Sequence, residues 1–106
     1  CAALLAPVME ANLKALSERA PQHPALARYS EIARLLTGQP DASAADGVRW
    51  VADLTRALRI QPLSAYEFSQ SDFATLISKA QAASSMKANP LPLTDGELAG
   101  ILERAI

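Results

Sequence analysis

The chain has 106 residues, a length that fits one compact domain with a single modest hydrophobic core. Half of the residues are hydrophobic and only 5% are aromatic, and the prevalence of alanine and leucine favours helices that pack closely through small side chains. Ten basic and eleven acidic residues are interspersed and give a net charge of −1, which argues against nucleic acid as a partner.

No apolar run reaches the roughly 18 to 20 residues that span a bilayer, so we expect no membrane segment and a cytoplasmic location. The single cysteine, Cys1, excludes an internal disulfide, and no spacing of Cys and His matches a zinc site. The chain begins at this cysteine without an initiator methionine, so we expect that a segment precedes it. A lipid-anchored cysteine is the alternative, but a polar tether would then be expected where apolar residues follow.

The first predicted helix runs to about Ala20. Pro7 removes one backbone donor, which the first turn of a helix tolerates but which would kink a helix that began earlier. The apolar residues of this helix recur at spacings of three and four; they are Leu4, Leu5, Val8, Met9, Leu13 and Leu16.

Pro24 suits the first position of a second helix, and Gly38 supplies the left-handed residue that ends it. We expect its inward side chains to be Leu26, Tyr29, Ile32, Ala33 and Leu36. Ser43 and Asp46 form a predicted capping box that opens a third helix. Its inward side chains are predicted to be Val48, Val51, Leu54 and Leu58.

Residues 60–68 contain Pro62 and no helical stripe, which predicts an ordered loop. The loop side chains expected to pack against the helices are Leu63, Tyr66 and Phe68. Ser69 with Asp72 predicts the next cap, and the fourth helix is expected to end near Ser84. Its predicted buried residues are Phe73, Leu76, Ile77 and Ala80.

Thr94 with Glu97 predicts a last capping box and a fifth helix. The residues that face inward along this helix are predicted to be Leu98, Ile101, Leu102 and Ala105. The elements together predict an all-α protein, a bundle of about five helices that forms a single helical domain over residues 1–106. Gly47, Gly96 and Gly100 lie inside predicted helices, where each costs roughly 1 kcal/mol relative to alanine unless it permits close helix contact.

Side chains that commonly carry chemistry are sparse. His23 is the only histidine, and it stands in a linker without a second imidazole or a nearby cysteine, so we expect a solvated surface residue. No glycine-rich phosphate loop and no G-x-S-x-G turn is present. From the residues alone we predict no active site, and the polar loop of residues 84–89 is the most interesting feature.

Residues 1–16, CAALLAPVMEANLKAL, resemble the segment that directly follows the His-Gly pair in iron-containing (group III) alcohol dehydrogenases, a helix of the type [CA]-A-x-L-L-P-x-V-M. Residues 41–62 are similar to a helix of that family and its I-P-x-L continuation. Residues 83–93, ASSMKANPLPL, resemble the signature S-S-M-K-x-N-P-x-x-L, and the final LTDGELAGILERAI resembles the last helix. The segments follow the family's order, with departures at Ala6, Gln61 and Tyr66.

The resemblance implies the C-terminal helical domain of an NAD(P)-dependent alcohol or aldehyde oxidoreductase, without the N-terminal nucleotide-binding domain and the metal-ligand helices. In the implied parent, an Asp and three His residues hold iron or zinc, which polarises the substrate oxygen during hydride transfer. None of those ligands is in this chain. We therefore expect no catalytic residue, no metal and no cofactor here, and no activity from the chain alone.

The family segment before the Asn-Pro pair lies near cofactor and substrate, so the resemblance assigns four residues to that cleft: Ser85, Met86, Lys87 and Asn89. The implied partner is the N-terminal half of the parent. A homodimer is also predicted, through an exposed apolar face made of Leu4, Leu5, Val8 and Met9. The alternative is a free-standing helical interaction protein that uses the same scaffold for docking or dimerisation.

Overall fold

The computed structural model describes residues 1–106 and contains five α-helices and no strand. The helices are α1 (Ala2–Arg19), α2 (Pro24–Thr37), α3 (Ala44–Ala57), α4 (Phe73–Ala82) and α5 (Asp95–Ala105). Short 3₁₀ helices lie at Leu63–Tyr66, Gln70–Asp72 and Ser84–Ala88. The predicted all-α bundle of about five helices is confirmed. None of its helices combines the length and the apolarity that a membrane crossing requires.

Helix α1 lies at the centre of the bundle, because it packs against α2, α3 and α5, while α4 packs on α5. The main core cluster consists of Ala11, Ala15, Leu16, Ala25, Leu91, Leu93, Leu98 and Ile101. Only 17 of the 106 residues are buried, so the core is as modest as the chain length predicts. Small alanine side chains on α1 let the neighbouring helices come close.

Helix α1 begins before Pro7, which therefore lies inside the helix instead of in its first turn. The proline ring has no N–H to donate to the carbonyl four residues earlier. The carbonyl of Ala3 thus lacks its helical partner, close to the exposed start of the helix.

The caps predicted at Ser43 and Thr94 are present, whereas Ser69 caps the 3₁₀ helix Gln70–Asp72 and not α4, which begins at Phe73. The backbone N–H of Ser43 donates to Asp46 at 2.9 Å, and that of Thr94 donates to Glu97 at 2.8 Å, which completes two reciprocal capping boxes. The hydrogen bond from the Ser43 backbone is the main cause that lowers the pKa of Asp46. Gly38 ends α2 with φ of 71°, a backbone conformation that glycine adopts without steric cost.

The predicted inward faces are confirmed on α5, where all four residues are buried. They are wrong at several positions elsewhere: Ile32 is 44% exposed, Leu54 40%, Leu58 62%, Tyr66 71% and Leu76 38%. Helices α2 and α3 meet along a seam and otherwise pack mainly on α1, with few contacts to α4 or α5. Apolar side chains of α2 and α3 that point away from this seam are not covered by another helix, so Ile32, Leu54 and Leu58 remain exposed.

The seam between α2 and α3 is closest at Ala33 and Gly47. A Cβ atom on Gly47 would lie 2.9 Å from the Cβ of Ala33, which is fully buried. Gly47 thus permits a close helix contact, which is the condition under which a glycine inside a helix was expected to be favourable. Gly100 has no such contact, since a Cβ there would meet nothing within 4 Å.

Substituting these two glycines should have opposite effects on stability. Gly47→Ala pushes two packed helices apart and should lower the free energy of unfolding by about 1–3 kcal/mol. Gly100→Ala gains helix propensity in open space and should raise it by up to about 1 kcal/mol. Urea denaturation of both variants checks the pair, and equal effects would contradict the close approach at Gly47.

A bidentate ion pair joins the end of α1 to the start of α5. Arg19 Nη1 donates to both carboxylate oxygens of Glu97, at 2.9 and 3.0 Å, and Nη2 donates to the Pro92 carbonyl at 2.7 Å. Partial burial by itself would raise the pKa of Glu97. The hydrogen bonds from Thr94 and Arg19 outweigh burial, so the pKa of Glu97 lies below its ordinary value of 4.5.

The lowered pKa predicts that Glu97 contributes to acid stability. Its contribution is present above the unfolded-state value of 4.5 and is lost as the pH falls through the lower folded value. Glu97→Gln should reduce the melting temperature at neutral pH and flatten its fall between about pH 6 and pH 3. Glu103→Gln, on the exposed surface of the same helix, is the control and should keep the original pH profile.

Candidate functional site

The four residues assigned to the substrate cleft lie on the 3₁₀ helix Ser84–Ala88 and just after it. Ser85 and Lys87 are exposed, whereas Met86 and Asn89 are half-buried. Met86 packs against the main core cluster, and the Asn89 side chain bonds to α1. The structure therefore divides the four residues into two that face solvent and two that face the core.

A pair of side-chain amides fixes this segment to the centre of the bundle. Asn12 Nδ2 donates to Asn89 Oδ1 at 2.9 Å, and Asn89 Nδ2 donates to Asn12 Oδ1 at 2.8 Å. The second N–H of Asn89 donates to the Leu91 carbonyl at 2.8 Å. Because the two amides each provide a donor and an acceptor, they satisfy one another reciprocally.

Asn12 is the one buried polar residue of the chain and is only 3% exposed. Its Nδ2 also donates to the Tyr29 hydroxyl at 3.3 Å, which brings α2 into the same network. No buried side-chain nitrogen or oxygen lacks a hydrogen-bond partner. The network is fully satisfied, the condition under which a buried polar group does not destabilise a core.

An apolar cavity of about 220 Å³ lies beside the amide pair, between α1, α4 and α5. Ten of its eleven lining residues are hydrophobic, and Asn89 is the exception. The lining residues are Leu4, Val8, Leu76, Ile77, Ala80, Met86, Asn89, Leu93, Leu98, Ile101 and Leu102. Met86 and Asn89 thus belong to the cavity wall as well as to the predicted cleft segment.

A shallower groove, which we call the Tyr66 groove, adjoins the cavity at the start of α1. It is lined by the first residues of α1 and by residues of the loop after α3 and of α4, namely Arg59, Ile60, Gln61, Leu63, Tyr66, Phe68 and Leu76. Leu4 and Leu76 line both the groove and the cavity, so the two features adjoin at these side chains.

The apolar face predicted to form a homodimer is divided between these two features. Leu4 and Val8 line the cavity, Leu5 is 52% exposed, and Met9 is half-buried. Only part of the predicted face is therefore open to solvent.

His23 does not lie in the site. Its Nδ1 accepts a hydrogen bond from the Ala25 backbone N–H at 3.0 Å, so the imidazole caps the start of α2. The residue types that usually cap helices are Ser, Thr, Asp and Asn, which is why the sequence pattern did not indicate this role. The chain's one imidazole is therefore engaged in capping α2.

No three His, Cys, Asp or Glu residues of this chain are grouped closely enough to hold a metal ion. The iron or zinc that the resemblance implies would need ligands from outside residues 1–106.

Comparison with family models, with curated proteins and with solved structures gives no match. The resemblance to iron-containing alcohol dehydrogenases therefore depends on the sequence segments themselves.

The sequence pattern does not predict the buried position of Asn12 or its hydrogen bond with the Tyr29 hydroxyl. Asn12 lies four residues after Val8 and four before Leu16, within the apolar stripe of α1. A polar residue within an apolar stripe is buried and needs a hydrogen-bond partner. The position of Asn12 in the stripe could therefore have indicated a buried polar contact.

Breaking the amide pair should cost more than removing an ordinary surface contact. Asn12→Ala leaves the Asn89 amide without its partner, and should lower the free energy of unfolding by about 1–3 kcal/mol. The double variant Asn12→Ala/Asn89→Ala should lose less than the sum of the two single variants. Urea denaturation of the wild type, the two single variants and the double variant measures these changes. Strictly additive losses of the free energy of unfolding would rule out a coupled pair.

Proposed function

We propose that this chain is the C-terminal helical part of a metal-dependent, NAD(P)-linked alcohol dehydrogenase of the iron-containing type. The observation that carries the proposal is the contact between two of the segments in which the resemblance was found. Residues 1–16 and 83–93 are joined by the Asn12–Asn89 amide pair, across 77 positions of sequence. Chance similarity of separate helices would not require these segments to meet.

The outward side of residues 84–89 is the part of the chain that we propose contacts the substrate or the nicotinamide cofactor. Ser85 and Lys87 are exposed, so the Lys87 ammonium has donors to offer to a polar or anionic group of a ligand. Asn89 is used differently. Its amide is committed to Asn12 and to the Leu91 carbonyl, which makes it a positioning residue for the segment.

The nucleotide-binding half of the parent is the proposed partner, and the Tyr66 groove is the proposed contact surface. Leu5, Ile60 and Tyr66 are 52%, 37% and 71% exposed, at or near this groove. Neighbouring exposed apolar side chains commonly mark an interaction surface. A second copy of the chain is the competing occupant, and sedimentation of the isolated chain at increasing concentration distinguishes the two.

The proposal is tested on the complete product of the gene that encodes this chain. With Fe²⁺ or Zn²⁺ added, that product should reduce NAD⁺ or NADP⁺ in the presence of a primary alcohol, and residues 1–106 alone should not. Lys87→Ala should reduce kcat/KM by about tenfold, which corresponds to about 1.4 kcal/mol of lost binding in the transition state.

Lys79→Ala is the matched control, because Lys79 is exposed on α4 and lies outside residues 84–89. It should leave kcat and KM unchanged. A complete gene product without any alcohol-dependent turnover would contradict the proposal, and equal effects of the two lysine substitutions would contradict the role of Lys87. A reading frame that starts close to Cys1 would favour a free-standing interaction protein.

A further inference from the structure

We propose that the apolar cavity between α1, α4 and α5 binds a small hydrocarbon group about the size of a substituted phenyl ring. This inference goes beyond the proposed dehydrogenase role and does not depend on it, because it requires only residues of this chain.

The volume of the cavity fits a small hydrocarbon group. A dry cavity of about 150 Å³ lined by Leu, Ile and Phe binds benzene, and the cavity here measures about 220 Å³. Sites for drug-sized ligands begin at roughly 300 Å³. The volume therefore fits one aromatic ring with a short alkyl substituent.

The wall chemistry supports a hydrocarbon and not a polar molecule. Ten of the eleven lining residues are hydrophobic, and both N–H groups of Asn89 are already committed within the protein. A water molecule in a cavity needs roughly two to four polar partners, which this wall does not offer. A charged ligand would lose its hydration without compensation.

An entrance is present. Leu76 lies at the cavity and is 38% exposed, and together with Leu4 it separates the cavity from the Tyr66 groove. A ligand can enter there by displacing apolar side chains, without breaking the amide pair or a helix cap. Met86 in the wall adds adaptability, because its unbranched side chain fills irregular space in several conformations.

Toluene is the probe, added to residues 1–106 while methyl resonances are followed by NMR. We expect saturable shifts confined to the cavity methyls, with Leu98, Ile101 and Met86 among them, and a rise in melting temperature. Benzoate has the same ring with a charge and should produce neither effect. Shifts that do not saturate, or that spread over the surface, would overturn the proposal.

Two substitutions on α4 make the test specific. Ala80→Leu places extra carbon atoms in the cavity and should weaken toluene binding by about tenfold or more. Ala74→Leu makes the same change at an exposed position of the same helix and should leave binding unchanged. Unaltered toluene affinity in folded Ala80→Leu protein would also overturn the proposal. If Ala80→Leu does not fold, Ile101→Phe replaces it as the filling variant and is judged by the same criterion.

Discussion

The reciprocal hydrogen bonds between Asn12 and Asn89 are the constraint on which the rest of this small structure depends. A buried amide without partners would cost about 1–3 kcal/mol, so the two residues must be held in register. Their pairing brings the chain after α4 back onto the centre of α1. Leu91 and Leu93 follow directly and enter the core cluster, and α5 begins where this segment ends.

The same hydrogen bonds fix which side chains of residues 84–89 face the core and which face solvent. Met86 and Asn89 are turned towards the core and the cavity, while Ser85 and Lys87 face solvent. Such alternation is what a segment needs if it is to present polar groups to a ligand and remain fixed in place. Arg19 at the end of α1 also donates to the Pro92 carbonyl, so the chain that leaves this segment is tied to α1 at two points, Asn89 and Pro92.

Local signals in the sequence were sufficient to predict the five helices and several of the residues that begin or end them. The boxes at Ser43 and Thr94 and the stop at Gly38 involve residues at most four positions apart, so their chemistry is readable from spacing. The inward face of α5 was also predicted correctly. Periodicity gives the apolar side of a helix, but it does not say whether a neighbour covers that side, which is why Leu54 and Leu58 were predicted wrongly.

The candidate site was less accessible to prediction, because its geometry depends on contacts between distant residues. Residues 84–89 were predicted to form a polar loop, and the family resemblance assigns four of them to a substrate cleft. That assignment stays a prediction. The amide pair links positions 77 residues apart, and no local pattern encodes such a contact. His23 shows the same difficulty on a small scale, since its capping role uses a residue type that rarely caps.

The most direct test of this account is an NMR measurement of the side-chain amide protons of Asn12 and Asn89 in the isolated chain. We expect nuclear Overhauser contacts between the two side chains and slow exchange of their protons with solvent. Rapid exchange of both amides, with no contact between residue 12 and residue 89, would contradict the constraint that organises the fold, the segment and the cavity.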